Sequence, residues 1–293
     1  KNSALKNIGL VTTSKWVDID GDSWEDLVIA GEWMPIHIFK NNEGKSFTDV
    51  TKDVYKAEQR GWWYDIEKGD FDNDGDMDLI VGNLGLNYKY QASVDKPFRV
   101  YLNDFDKNAT YDIVLGSKSD NIKYRFGGGQ CSSEQMPAIK DKFKNYNSFA
   151  SASLEEIYSN QMLEESLKYE ITSFASVYLE NKDGKFIAKP LPYQAQLSNI
   201  NAMVVKDIDS DGNLDVVLGG NLYNAEVETP RNDASYGLWL KGDGNNGFSA
   251  QLPRETGLVI RGDVRNIKAI KAGDESHLLV AKNNQAIQQI RVN

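Results

Sequence analysis

Aspartate recurs with the same spacing in three stretches of this chain. Asp18, Asp20, Asp22 and Asp26 stand at relative positions 1, 3, 5 and 9 of the first, Asp70, Asp72, Asp74 and Asp78 of the second, and Asp207, Asp209, Asp211 and Asp215 of the third. A looser fourth copy puts Asp104, Asp106, Asn108 and Asp112 in the same places. Carboxylates held this close repel one another unless a cation neutralises them. Turned inward, such a set supplies most of the six to eight oxygens at ~2.3–2.6 Å that a hard ion such as Ca²⁺ requires, and one backbone carbonyl adds to it. That carbonyl belongs to position 7, which is Trp24, Asp76, Asn213 and Thr110 in the four loops. The spacing predicts three calcium sites, with the Asp104 loop offering a fourth.

Gly75 and Gly212 fall at position 6, where the loop turns sharply and positive φ is needed, whereas the first loop has Gly21 at position 4. An EF-hand would close its site with a Glu at position 12 between two helices. Here position 12 is Ile29, Val81 or Leu218. Asp, Asn and Gly also make ordinary turns, but three near-complete copies exceed what a turn needs. Cys131, His37 and His277 are far apart in sequence and form no soft-ligand motif, which disfavours transition metals.

The elements that must hold these loops are short strands. Each loop runs into an apolar, mostly β-branched or Leu segment ending at Gly, at residues 27–31, 79–82, 113–116 and 216–219. Such runs read as buried strands. Strand-like segments also lead in, at 15–17, 63–67, 100–102 and 202–205, and more recur downstream at 36–39, 177–179 and 237–240, then at 45–47, 185–187 and 247–249. Four strands per unit is the content of a propeller blade. The first two loops begin at residues 18 and 70, a blade-sized interval, whereas the later starts at 104 and 207 are irregular. Residues 117–171 are expected to form a helical insertion within a blade, with Ser153 and Glu156 as a capping box and Leu154, Ile157, Tyr158, Met162 and Leu163 as the apolar stripe. The expected fold is all-β, a β-propeller of four-stranded blades spanning 1–293, with four or five units present and the whole reaching about seven or eight blades.

The chain carries a formal net charge of −10, which offers no cationic surface to nucleic acid. No apolar run approaches the ~20 residues of a membrane-spanning helix. The sequence begins at Lys1 without a signal pattern and reads as the C-terminal part of a larger processed protein. No phosphate-binding Gly-rich loop, serine-nucleophile elbow or zinc-binding His-Glu motif occurs, and the clustered acids are committed to metal, so a non-enzymatic role is expected. Arg261, Gly262 and Asp263 form an integrin-recognition tripeptide, read as incidental beside a strand.

The Asp-x-Asp-x-Asp-Gly-x-x-Asp loops before apolar strands resemble the FG-GAP or VCBS repeats of integrin-α-like propellers. Gly61-Trp-Trp63 and the segments 69–75, 82–87 and 233–237 are similar to VCBS-repeat regions of large exported Bacteroidetes proteins. The resemblance implies a calcium-stabilised scaffold or binding module, secreted or on the cell surface or outer membrane and part of a larger envelope complex. The partner would be a protein or glycan on the face opposite the calcium loops, where Trp33, Tyr88, Tyr90 and Tyr223 are candidate stacking residues. A propeller-based polysaccharide lyase or hydrolase and a purely structural module remain the alternatives, because the fold itself fixes no ligand.

Overall fold

The computed structural model describes residues 3–57, 59–119, 122–126, 128–225 and 229–292; residues 120–121 and 127 of the expected insertion lie outside the described residues. In chain order the strands are β1 (Leu10–Val17), β2 (Asp26–Pro35), β3 (His37–Asn41), β4 (Phe47–Asp49), β5 (Arg60–Trp62), β6 (Asp65–Gly69), β7 (Asp78–Gly82), β8 (Phe98–Asn103), β9 (Asp112–Ser119) and β10 (Ile122–Phe126). They continue as β11 (Leu167–Ile171), β12 (Val177–Lys182), β13 (Lys185–Pro190), β14 (Ile200–Lys206), β15 (Asp215–Gly220), β16 (Leu238–Gly242), β17 (Phe248–Gln251), β18 (Val264–Ala272), β19 (Glu275–Lys282) and β20 (Gln288–Val292). The fold is all-β, every strand pairing is antiparallel, and the helices are short.

The chain forms two compact units, 1–89 with 174–293, and 90–173. The first is a series of meandering sheets: β1-β2-β3-β4 with β5 added on β2, then β6-β7-β12-β13, then β14-β15-β16-β17, then β18-β19-β20. The leading strands β1, β6, β14 and β18 are neighbours in succession. Lys15 on β1 reaches Glu67 on β6 at 2.6 Å, and Asp65 on β6 accepts the N–H of Met203 on β14 at 2.8 Å.

Alternation along the second strand of each meander explains why it reads as a continuous apolar run. Leu79 and Val81 pack with Val28, Ala30 and Ile38 of the first sheet, whereas Ile80 between them packs with Val216 and Leu218 of the third. Val217 turns the other way, toward Ile267 and Leu278 of the last sheet. A strand covered on both faces needs apolar residues at every position, and each such side chain contributes about 1.5–3 kcal/mol on burial.

Glycine ends these runs for a steric reason. A bulge in β1 between Val11 and Thr13, and another in β14 between Ile200 and Ala202, pushes the leading strand's backbone toward the second strand. A Cβ on Gly31 would lie 2.0 Å from the Leu10 carbonyl oxygen, and one on Gly220 would lie 1.7 Å from that of Asn199.

The second unit enters the chain between β7 and β12, the second and third strands of one sheet. It has its own four-stranded sheet, β10-β9-β8-β11, with the Asp104 loop between β8 and β9. Its core joins Tyr101, Phe105 and Val114 to Leu154, Ile157, Tyr158 and Leu163. The expected helical stripe is split into Leu154–Tyr158 and Asn160–Glu165. Ser159 breaks it at φ 66° and then caps the second piece, while the Ser153–Glu156 capping box starts the first.

Candidate metal centre

All four aspartate loops join the first and second strands of a sheet and fold alike. The position-1 carboxylate takes the backbone N–H groups of positions 5 and 6: Asp18 from Asp22 and Ser23, Asp70 from Asp74 and Gly75, Asp104 from Asn108 and Ala109. Asp207 accepts from Gly212, and its other oxygen, Oδ1, is buried with no hydrogen-bond partner. The position-5 side chain accepts the N–H of position 7, as in Asp22 with Trp24, Asp74 with Asp76, Asn108 with Thr110 and Asp211 with Asn213.

Two left-handed residues wind each loop. Position 4 has positive φ in Gly21, Asn73, Lys107 and Ser210, and position 6 has it in Ser23, Gly75, Ala109 and Gly212. A glycine relieves strain at either place, so Gly21 in the first loop and Gly75 in the second are two solutions to one requirement. The Asp104 loop has a glycine at neither.

The position-9 aspartate fastens the loop to the sheet. Asp26, Asp78 and Asp215 are fully buried and Asp112 is 3% exposed. One oxygen accepts from the position-2 N–H, that of Ile19, Phe71, Phe105 or Ile208. In the larger unit the other oxygen accepts an N–H from the third strand, at Asn41, Asn181 or Gly242. Burial, offset in part by these N–H groups, raises the pKa of Asp26, Asp112 and Asp215, and that of Asp78 to about 6. A nearby divalent ion would reverse that shift by favouring the charged form.

Four sets of carboxylate oxygens converge to within 4.8 Å of one another: Asp18, Asp20 and Asp22; Asp70, Asp72 and Asp78; Asp104, Asp106 and Asp112; Asp207, Asp209 and Asp215. The donors are oxygens throughout, and Asp207 Oδ1 is buried with no hydrogen-bond partner among the described residues. This chemistry fits a hard ion. Cys131, His37 and His277 belong to none of these sets among the described residues. Asp26 of the first loop, Asp74 and Asp211 at position 5 and Asp76 at position 7 lie outside these sets.

Other sequence-derived candidates separate. Tyr90 is buried and stacked on Phe98 at 4.5 Å, which makes it core. Arg231 lies over the Tyr223 ring at 4.6 Å. Trp33 meets Trp62 edge-on at 5.3 Å, and Trp62 meets Phe174 at 5.4 Å. Asp263 of the Arg-Gly-Asp tripeptide is 1% exposed and bound to Arg265 at 2.8 Å, so it cannot be presented to a receptor. A cleft of about 290 Å³ between the third and last sheets is lined by Val217, Trp239, Leu258, Leu278 and Ile290, with Asp209 and Arg291 as its charged members.

Sequence reading missed the third-strand contributors. Asn181 links two loops by donating to the carbonyls of Ile19 and Met77. Lys40 contacts Asp20 and, at 3.0 Å, Asp22; Lys241 contacts Asp209 and, at 2.9 Å, Asp211. The only local signal was that both lysines precede an Asn or Gly at a strand end.

Residues 18–81 match the family model described as an FG-GAP-like repeat. The first two loops and the strands between them therefore carry that repeat, in agreement with the resemblance drawn from their aspartates. No curated protein matches the chain. Among solved structures, the crystal structure of the V. cholerae biofilm matrix protein Bap1 aligns at 10% identity and a TM-score of 0.27 over 93% of this chain. This chain spans 60% of that one, and a likeness so distant carries no argument. No helix among the described residues is long and apolar enough to cross a membrane.

Proposed function

We propose that this chain is a calcium-stabilised, propeller-type binding module that works outside the cell and recognises a protein or glycan without catalysis. The observation that carries the reading is the convergence of aspartate oxygens in each of the four aspartate loops, from positions 1, 3 and 5 in the first and from positions 1, 3 and 9 in the other three. Calcium would be held by positions 1, 3, 5 and 9 and the position-7 carbonyl, and its charge would offset the repulsion among the carboxylates. Extracellular modules of this kind work with affinities of about 10⁻⁴–10⁻³ M, well matched to calcium outside the cell. The succession of meanders with neighbouring leading strands supports the propeller arrangement.

With the loops occupied by structural ions, recognition falls to the other strand ends. Trp33 supports that placement: it is half-buried at φ 60°, a conformation a bulky residue holds only when its surroundings enforce it. A glycan array and a pull-down from native envelope material, each run with calcium and with EGTA, test the reading. Calcium-dependent capture that Trp33→Ala abolishes is expected. Capture indifferent to Trp33→Ala would move the surface elsewhere, and turnover in a polysaccharide-degradation screen would replace binding by catalysis.

A further inference from the structure

The two lysines on the loops occupy one structural position. Strand pairing sets Leu27 opposite Phe39 and Val216 opposite Leu240, so the next residues, Lys40 and Lys241, stand opposite the position-9 aspartates Asp26 and Asp215. From there each ammonium spans the position-3 and position-5 carboxylates of its loop, Asp20 with Asp22 and Asp209 with Asp211. In the second sheet Leu79 pairs with Leu179, which puts Glu180 in that position opposite Asp78. Glu180 is held away by other partners: its side chain is 2% exposed and pairs with Lys182 at 2.7 Å and Lys189 at 2.6 Å. One place in the sheet thus carries a cation over the first and third loops and an anion beside the second.

Resting on the calcium reading above, we infer that Lys40 and Lys241 are tethered counterions that calcium must displace, so the Asp70 loop fills first and the Asp18 and Asp207 loops fill at higher calcium. An ammonium bridging two carboxylates competes for the oxygens a divalent ion needs, and being covalently attached it competes at constant effective concentration. The same contact neutralises the first and third loops when calcium is scarce. The second loop, whose Asp70, Asp72 and Asp74 have no lysine in that position and feel only the charge of Lys182, which is paired with Glu180, depends more on the ion. The alternation makes the module graded in its response to calcium.

Isothermal titration and native mass spectrometry of the full chain carrying Asp106→Ala, which removes the fourth loop from the count, test this with calcium itself. Lys40→Met and Lys241→Met should each raise affinity at one site by roughly five- to thirtyfold, the effect of removing two partly exposed ion pairs, and leave the tightest site unchanged. Melting should separate the two conditions: each variant is less stable than the parent in EGTA, and the difference closes in saturating calcium, where the lysine is displaced in the parent as well. If a Met variant does not fold, Lys40→Gln and Lys241→Gln serve in its place. Calcium uptake with unchanged affinities in the lysine variants overturns this inference and leaves the calcium reading intact. No uptake by any variant or by the parent overturns the calcium reading itself.

Discussion

Tyr178 and Asp78 are 100 residues apart in the chain, yet the tyrosine hydroxyl donates to the aspartate Oδ2 at 2.8 Å. The second unit lies between them in sequence, so this contact rejoins the two halves of an interrupted sheet at the base of its aspartate loop. The same hydroxyl is 2.7 Å from Asn246 Oδ1, and the ring meets Phe71 and Phe248 edge-on.

Removing that hydroxyl isolates its contribution. Tyr178→Phe keeps the ring packing and takes one donor from a buried carboxylate, which costs about 1.5–3 kcal/mol for a bond to a charged group. Urea denaturation in saturating calcium should show that loss, and an unchanged midpoint would mean Asp78 is fully satisfied by the N–H groups of Phe71 and Asn181.

Chelation should lower the melting temperature. A ligand that binds only the folded chain adds about 2.7 kcal/mol per site at a concentration one hundred times its dissociation constant. EGTA should remove that stabilisation and calcium restore it, with magnesium restoring less because of its stricter octahedral geometry. Identical melting curves in EGTA and calcium would exclude a structural ion.

Backbone strain in the fourth loop is open to repair. Ala109 holds φ 68° where the second and third loops have Gly75 and Gly212. A left-handed residue with a Cβ costs roughly 1–2 kcal/mol, so Ala109→Gly should stabilise the unit of residues 90–173 by about 1 kcal/mol. Gly75→Ala should do the opposite to its own sheet. Hydrogen exchange resolved along the chain reads both effects.

Asp65 gives the chain a pH dependence outside the loops. Burial first, then the Glu67 charge, pushes its pKa up to about 7, against the N–H groups of Met203 and Ile66 and the charge of Lys15. The folded state keeps this proton up to about pH 7, while the unfolded chain releases it near its ordinary value of ~3.9. The resulting stability is complete below that value, declines as pH rises, and is lost above about 7. Asp65→Asn keeps an acceptor for Met203 without the titration, so it should match the parent near pH 4 and melt higher at pH 8. Parallel stability-against-pH curves for the two would show that Asp65 does not titrate in this range.

Gly220 tests the close approach at the bulge. A Cβ there would sit 1.7 Å from the Asn199 carbonyl, backbone that cannot swing aside. Gly220→Ala should cost at least the ~1–3 kcal/mol typical of overpacking. Gly257→Ala is the contrast: its Cβ would meet nothing within 4 Å, which leaves only the strain of its φ of 71°.

The aspartate spacing, the apolar runs that follow it and the closing glycines were legible in the sequence, because each answers a local demand: alternate carboxylates for one ion, two covered faces for a strand, no Cβ at a bulge. These determined the all-β class, the loops and their candidate ligands. Tertiary structure decided which strands share a sheet. Nothing local in Val177–Lys182 says that it pairs with Asp78–Gly82 across an inserted unit, since an apolar strand can pair with many others and only packing between sheets selects one. It also decided what stands opposite each position-9 aspartate. Lys40, Glu180 and Lys241 look unrelated along the chain, and strand register alone makes them one position with opposite charges.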